Sequence, residues 1–128
     1  MMKILIVEDN PVNLELFQDL IELEGYEVVS AFTGHEAIEK AKREMPDIIL
    51  MDIQLPEMDG WETTKILKKT PETRAIPIIA LTAHAMEGDR EKALDLGCDS
   101  YISKPINTRT FISDIKKVLS SSPAFDED

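Results

Sequence analysis

Four short stretches carry the residues whose types and spacing can do chemistry: Glu8 and Asp9 in "LIVEDN", Asp52 in "IILMDIQLPEMDG", Thr82 in "IIALTA" and Lys104 in "YISKP". Glu8, Asp52 and Thr82 stand directly after runs of apolar residues, and Asp9 and Lys104 one residue further on. Singly, each has an ordinary explanation: a helix-capping acid, a solvated strand-end carboxylate, a β-branched strand residue, a surface lysine. Jointly they make three acids, one hydroxyl and one ammonium. The loop "VEDNPVN" would repel phosphate unless a cation intervened, because a phosphate-binding loop presents glycine, serine or threonine and a helix N-terminus. Carboxylate oxygens are the ligands Mg²⁺ prefers, so Glu8, Asp9 and Asp52 make sense together as a divalent-metal site. Beside a metal, Asp52 can act as a nucleophile toward phosphorus, with Lys104 on a phosphoryl oxygen or on the Asp52 carboxylate and the Thr82 hydroxyl donating to another oxygen.

That chemistry requires elements that bring distant residues to one place. "KILIVE", "DIILMD" and "IPIIAL" are nearly unbroken apolar runs, the mark of parallel strands covered on both faces; "YEVVSA" and "DSYIS" are more polar and read as sheet edges. Helices alternate with them. Asn10 and Pro11 open the first, which carries Val12, Leu16, Phe17, Leu20 and Ile21 on one face and stops at Gly25. Thr33 with Glu36, and Asp59 with Glu62, have capping-box spacing; Ala37, Ile38, Ala41 and Met45 follow the first pair, with Pro46 as the stop, and Ile66 and Leu67 follow the second. Residues 85–96 form a weak helix with Gly88 inside it, and Phe111, Ile112, Ile115, Val118 and Leu119 form a strong one. Alternating strands and helices with right-handed crossovers imply an α/β, doubly wound, five-stranded parallel sheet in the flavodoxin-like order 2-1-3-4-5 with five helices. Ligands of such sheets bind outside the carboxyl ends of the strands, where the acids, Thr82 and Lys104 fall.

A chain of 128 residues has room for one domain, expected over 1–120, with 121–128 as a frayed acidic tail. The formal charge of −11 argues against nucleic-acid binding. No apolar run approaches the roughly 20 residues of a membrane span, and no signal peptide is evident, so the expected compartment is cytoplasmic. Cys98 has no intrachain partner and reads as a small buried hydrophobe. Trp61 is expected to pack partly on the core, and His35 to be solvated at a helix start.

Through about Ser120, the four quoted blocks resemble the receiver domain of bacterial two-component response regulators, whose fold is CheY-like. The resemblance implies that Asp52 is the phosphoacceptor, that Glu8, Asp9, Asp52 and the backbone carbonyl of Gln54 hold Mg²⁺, that Thr82 and Tyr101 are switch residues, and that Lys104 is the site lysine, with a cis bond to Pro105. Gln54 and His84 then occupy positions that tune dephosphorylation. The implied partners are a histidine kinase or histidine phosphotransfer protein and a downstream effector protein. The implied state is a monomer or weak dimer without nucleic acid or membrane. The implied role is signalling, with catalysis only of the protein's own phosphorylation and dephosphorylation. A stand-alone regulator is the leading expectation, and a receiver segment of a hybrid histidine kinase is the alternative. From another class, a metal-dependent aspartyl phosphatase would want a second acid where Gln54 stands. A flavodoxin-like electron carrier conflicts with the acidic first loop.

Overall fold

The unbroken apolar runs are explained by the two faces they cover. In the computed structural model, which describes residues 2–82 and 87–121, the elements alternate as β1 (Lys3–Val7), α1 (Pro11–Leu23), β2 (Glu27–Ala31), α2 (Gly34–Glu44), β3 (Ile48–Asp52), α3 (Gly60–Lys69), β4 (Ile78–Thr82), α4 (Glu87–Asp95), β5 (Ser100–Ser103) and α5 (Phe111–Ser121). The strands form one parallel sheet in the order β2-β1-β3-β4-β5. Successive side chains of a strand point to opposite faces. Ile4, Ile6, Ile48, Leu50, Ile79 and Leu81 therefore pack with Phe17 and Ile21 of α1 and Phe111 and Ile115 of α5. Leu5, Val7, Ile49, Met51, Ile78 and Ala80 pack with Ala37 and Ala41 of α2, Leu67 of α3 and Ala93 of α4. β2 and β5 are the edges, as their polarity suggests.

The helix ends are built from the expected caps. The Asn10 side chain accepts from the Val12 and Asn13 amides at 2.9 and 3.2 Å, and Gly25, at φ +86°, takes the left-handed turn that ends α1. Thr33 accepts from the Glu36 amide at 3.1 Å, and Asp59 from the Glu62 amide at 2.9 Å. Glu36 reaches back to the Phe32 amide at 2.6 Å, one residue earlier than a reciprocal box would place it. Trp61 packs partly on the core, His35 is exposed, and Cys98 is buried, its thiol pushed up to about 11 by that burial. The Lys104–Pro105 bond is cis.

Two apolar faces differ from expectation. In α1 the buried stripe is Leu14, Phe17 and Ile21, while Val12 is 76 % and Leu16 42 % exposed. Periodicity identifies an apolar helix but not the side turned to the sheet, and Leu14 lies in phase with Phe17 and Ile21. Met45 lies beyond α2 in a left-handed turn at φ 47° and is exposed, so Ala37 and Ala41 with half-buried Ile38 form the inner face. Leu14→Ala should therefore cost about 2–4 kcal/mol, and Val12→Ala no more than about 0.5 kcal/mol. Urea unfolding of the two variants checks this, and the reverse ranking would contradict the assigned face. Of the weak helix, Glu87–Asp95 is described as α4, whereas Ala85 and Met86 lie outside the described residues. The expected tail lies outside them too, apart from Ser121, which closes α5.

Candidate functional site

The sheet's chain order reverses between β1 and β3, and the site lies at the carboxyl ends of these two strands. Ladder hydrogen bonds run past the strand ends and fix the residues that follow. The Glu8 amide donates to the Ala31 carbonyl at 3.0 Å, the Ile53 amide to Leu81 at 3.0 Å and the Lys104 amide to Thr82 at 2.7 Å. Three loops far apart in sequence are thereby held by the sheet itself.

Within this frame Lys104 bridges the first and third strands. Its Nζ lies 2.9 Å from Glu8 Oε1 and 3.0 Å from Asp52 Oδ2. The other Asp52 oxygen, Oδ1, accepts from the Gln54 amide at 3.0 Å, and Glu8 Oε2 accepts from the Asn10 amide at 3.2 Å. Glu8 and Asp52 are buried, at 1 % and 3 % exposure, whereas Asp9 and Gln54 are exposed. Glu8, Asp9 and Asp52 each bring a carboxylate oxygen within 4.8 Å of the others.

Burial is the main influence on Glu8 and raises its pKa to about 7; the Lys104 contact pulls the other way, and Asp52 adds to the rise. Burial also opposes the charge on Lys104, but its hydrogen bonds to Glu8 and Asp52 outweigh that and hold the ammonium above its ordinary range. The result is an acidic pocket into which the Lys104 ammonium reaches, with Asp9 exposed at its mouth.

Thr82 is buried at the end of β4, and its hydroxyl donates to Asp89 Oδ2 of α4 at 3.2 Å. Tyr101 on β5 is half-buried against the α2–α4 side of the core, with the Arg90 guanidinium carbon 6.0 Å from its ring centre. The structure thus joins Glu8, Asp52 and Lys104 directly, adds Asp9 at the mouth and Gln54 through its amide, and sets Thr82 and Tyr101 at the α4 side. His84 lies outside the described residues.

Two residues at the site escape sequence reasoning. Gly60, the first residue of α3, lies so close to the end of β3 that a Cβ there would collide with the Asp52 carbonyl oxygen and the Ile53 Cα. Its only signal is a glycine after a capping acid, where a better helix former would be usual. Asp89 has no signal at all, being one of many acids in a weakly patterned helix.

A doubly wound sheet of this order, with an acid-lined switch point and a lysine reaching in from β5, defines a receiver. The chain belongs to the response regulator receiver domain family, whose model matches residues 4–116. It is 53 % identical over 116 residues to the polar-differentiation response regulator DivK of Brucella ovis, a match covering 91 % of this chain and 94 % of that protein. Among solved structures, a putative response regulator from Chloroflexus aurantiacus superposes with a TM-score of 0.89 at 28 % identity, covering 93 % of this chain and 98 % of that one. The receiver domain of sensor histidine kinase PA1611 from Pseudomonas aeruginosa, solved with a magnesium ion in its active-site cleft, gives 0.81 at 37 % identity, covering 94 % and 96 %. The protein is a signalling receiver and not a conventional enzyme. Among the described residues, no helix is long and apolar enough to cross a membrane.

Proposed function

We infer that this receiver acts as a stand-alone response regulator over residues 1–120, taking a phosphoryl group on Asp52 from a histidine kinase or histidine phosphotransfer protein. It then signals through phosphorylation-dependent contacts with an effector protein. The observation that carries this is Asp52 itself: a buried carboxylate on a rigid strand end, held by Lys104 at 3.0 Å and the Gln54 amide at 3.0 Å beside two further acids. The similarity to DivK along most of both chains supports the stand-alone role over the hybrid-kinase alternative. At the position where an aspartyl phosphatase would carry its acid/base stands the exposed amide Gln54.

The donor set fits magnesium. All its members are hard oxygens, and Mg²⁺ is typically held by one or two carboxylates with water and phosphate. Glu8, Asp9, Asp52 and the Gln54 backbone carbonyl are the residues that would hold the ion. When bound, it offsets negative charge on the transferring oxygens. The protein's own part is positional. Lys104 and the Gln54 amide fix the Asp52 carboxylate, one oxygen of which attacks phosphorus as the bond to the donor's imidazole nitrogen breaks and its electron pair leaves with the donor. Lys104 can then follow the new charge onto a phosphoryl oxygen, and the Thr82 hydroxyl can supply a second hydrogen bond. Dephosphorylation, which the protein would catalyse on itself, is attack by water on phosphorus: the bond to the Asp52 oxygen breaks, inorganic phosphate leaves and the carboxylate is restored. A net charge of −11 suits a protein partner rather than nucleic acid, and a monomer or weak dimer suffices for it. Intact-mass spectrometry after incubation with acetyl phosphate should show one added phosphoryl group with Mg²⁺ and none with a chelator.

The raised pKa of Glu8 gives magnesium binding a pH dependence. The ion needs the carboxylate, so affinity should fall about tenfold between pH 8 and pH 6, across the value of about 7. Calorimetric titration at the two pH values tests this, and Glu8→Gln should largely remove the difference. Stability without metal moves the other way. An unfolded Glu8 titrates near 4.5, so between there and about 7 the native state holds a proton the unfolded chain has released, and its stability falls as pH rises through that window.

A further inference from the structure

Helix α4 is anchored less by apolar burial than by polar clasps. Among its described residues only Ala93 is buried. Yet three of its side chains reach three different elements: Asp89 accepts from Thr82 Oγ1 on β4 at 3.2 Å, Arg90 lies 6.0 Å from the Tyr101 ring centre on β5, and Lys92 Nζ stands 5.0 Å over the Trp61 ring on α3. Two of those partners are the residues assigned to the switch.

We propose that Asp89 is a positioning residue that holds the Thr82 hydroxyl on the α4 side and so opposes its engagement with a phosphoryl group on Asp52. The proposal rests on the receiver reading above. The Thr82 hydroxyl has one proton to donate, and at 3.2 Å its hydrogen bond to Asp89 is longer than the roughly 2.5–2.7 Å of a strong hydroxyl–carboxylate contact, so a phosphoryl oxygen can displace it. While it points to Asp89 Oδ2, it is not available to a phosphoryl oxygen. Phosphorylation therefore exchanges one anionic acceptor for another. Because Asp89 belongs to α4, the exchange releases one of the three clasps on a helix with little apolar anchorage. The charge change at Asp52 is thereby converted into freedom of α4, with Arg90 on Tyr101 and Lys92 on Trp61 as the contacts that follow. A ligand shifts such an equilibrium only by its differential interaction with the two states, and Asp89 supplies that difference on the unphosphorylated side.

The test measures the affinity of beryllium fluoride, a phosphoryl mimic, in the presence of Mg²⁺ for the full chain, read by emission of Trp61, the sole tryptophan. Asp89→Ala should tighten binding about three- to tenfold and move the ligand-free emission toward the wild-type bound value, because the carboxylate competing from α4 is gone. Asp89→Asn, which keeps an acceptor of the same shape without charge, should fall between Ala and wild type. Thr82→Val should weaken binding, and on that background Asp89→Ala should have no further effect. Unchanged or weaker binding in Asp89→Ala, with a wild-type urea midpoint, would overturn the proposal, as would full additivity with Thr82→Val. A general loosening of α4 would instead tighten binding equally on both backgrounds. If wild type itself does not take up beryllium fluoride, the receiver reading fails; if it does and Asp89 has no effect, only the clasp fails.

Discussion

Replacing Asp52 with asparagine should abolish the Mg²⁺-dependent gain of a phosphoryl group, lowering its rate at least about a hundredfold and to the limit of detection by intact mass. A carboxylate oxygen can attack phosphorus and carry the resulting acyl phosphate, whereas a neutral carboxamide is a far poorer nucleophile. The substitution should leave the fold intact, because the side chain keeps its shape and its oxygen can still accept from Lys104 or from the Gln54 amide. It also removes one negative charge from a cluster whose carboxylate oxygens lie within 4.8 Å of each other, so stability should hold or rise by about 1 kcal/mol. The variant is thus a test of chemistry and not of folding. A phosphoryl gain that survives in a folded Asp52→Asn protein would move the acceptor elsewhere, with Asp9 at the mouth of the pocket the first place to look. A gain in wild type that persists in chelator would leave the acceptor in place but remove the metal from the reaction.

What could be read in the sequence follows from which forces are local. Strand ends are legible because β1, β3 and β4 are buried on both faces, and their apolar runs stop where the sheet opens to solvent; Glu8, Asp52 and Thr82 mark those points. Caps are legible because Asn10, Thr33 and Asp59 act within three residues of themselves. The side of α1 that faces the sheet is not local: Val12 and Leu16 are as apolar as Leu14, and only docking against the sheet distinguishes them. Direction is hidden in the same way at Thr82. Its place at the site follows from the strand, but the turn of its hydroxyl toward Asp89 depends on a helix whose own pattern is weak. Close backbone approach is the most hidden feature, because a glycine in a sequence does not say what it lies against.

Gly60→Ala is where that hidden approach has its largest expected consequence. Helix propensity alone favours alanine over glycine by up to about 1 kcal/mol, so a purely local reading predicts stabilisation. Packing predicts the opposite. The new Cβ would meet the Asp52 carbonyl oxygen and the Ile53 Cα, both main-chain atoms at the strand end that carries the Asp52 side chain, and neither can rotate away. The Gly60 amide also donates to the Ile53 carbonyl at 2.9 Å, so α3 cannot back off without breaking that bond. The variant should lose about 1–3 kcal/mol, the scale of an overpacked core site, and its folded fraction should accept phosphate from acetyl phosphate at least about tenfold more slowly because Asp52 is displaced from its partners. Gly88→Ala provides the contrast: among the described residues, no atom outside its own helix and chain neighbours lies within 4 Å of the added Cβ, and this substitution inside α4 should raise stability by about 0.5–1 kcal/mol. Urea unfolding of both variants, with phosphorylation rates measured under native conditions, separates the two explanations. Equal stabilisation by both substitutions would mean that α3 is not pressed against the end of β3. A destabilised Gly60→Ala protein with an unimpaired rate would mean that α3 supports the fold without setting the position of Asp52.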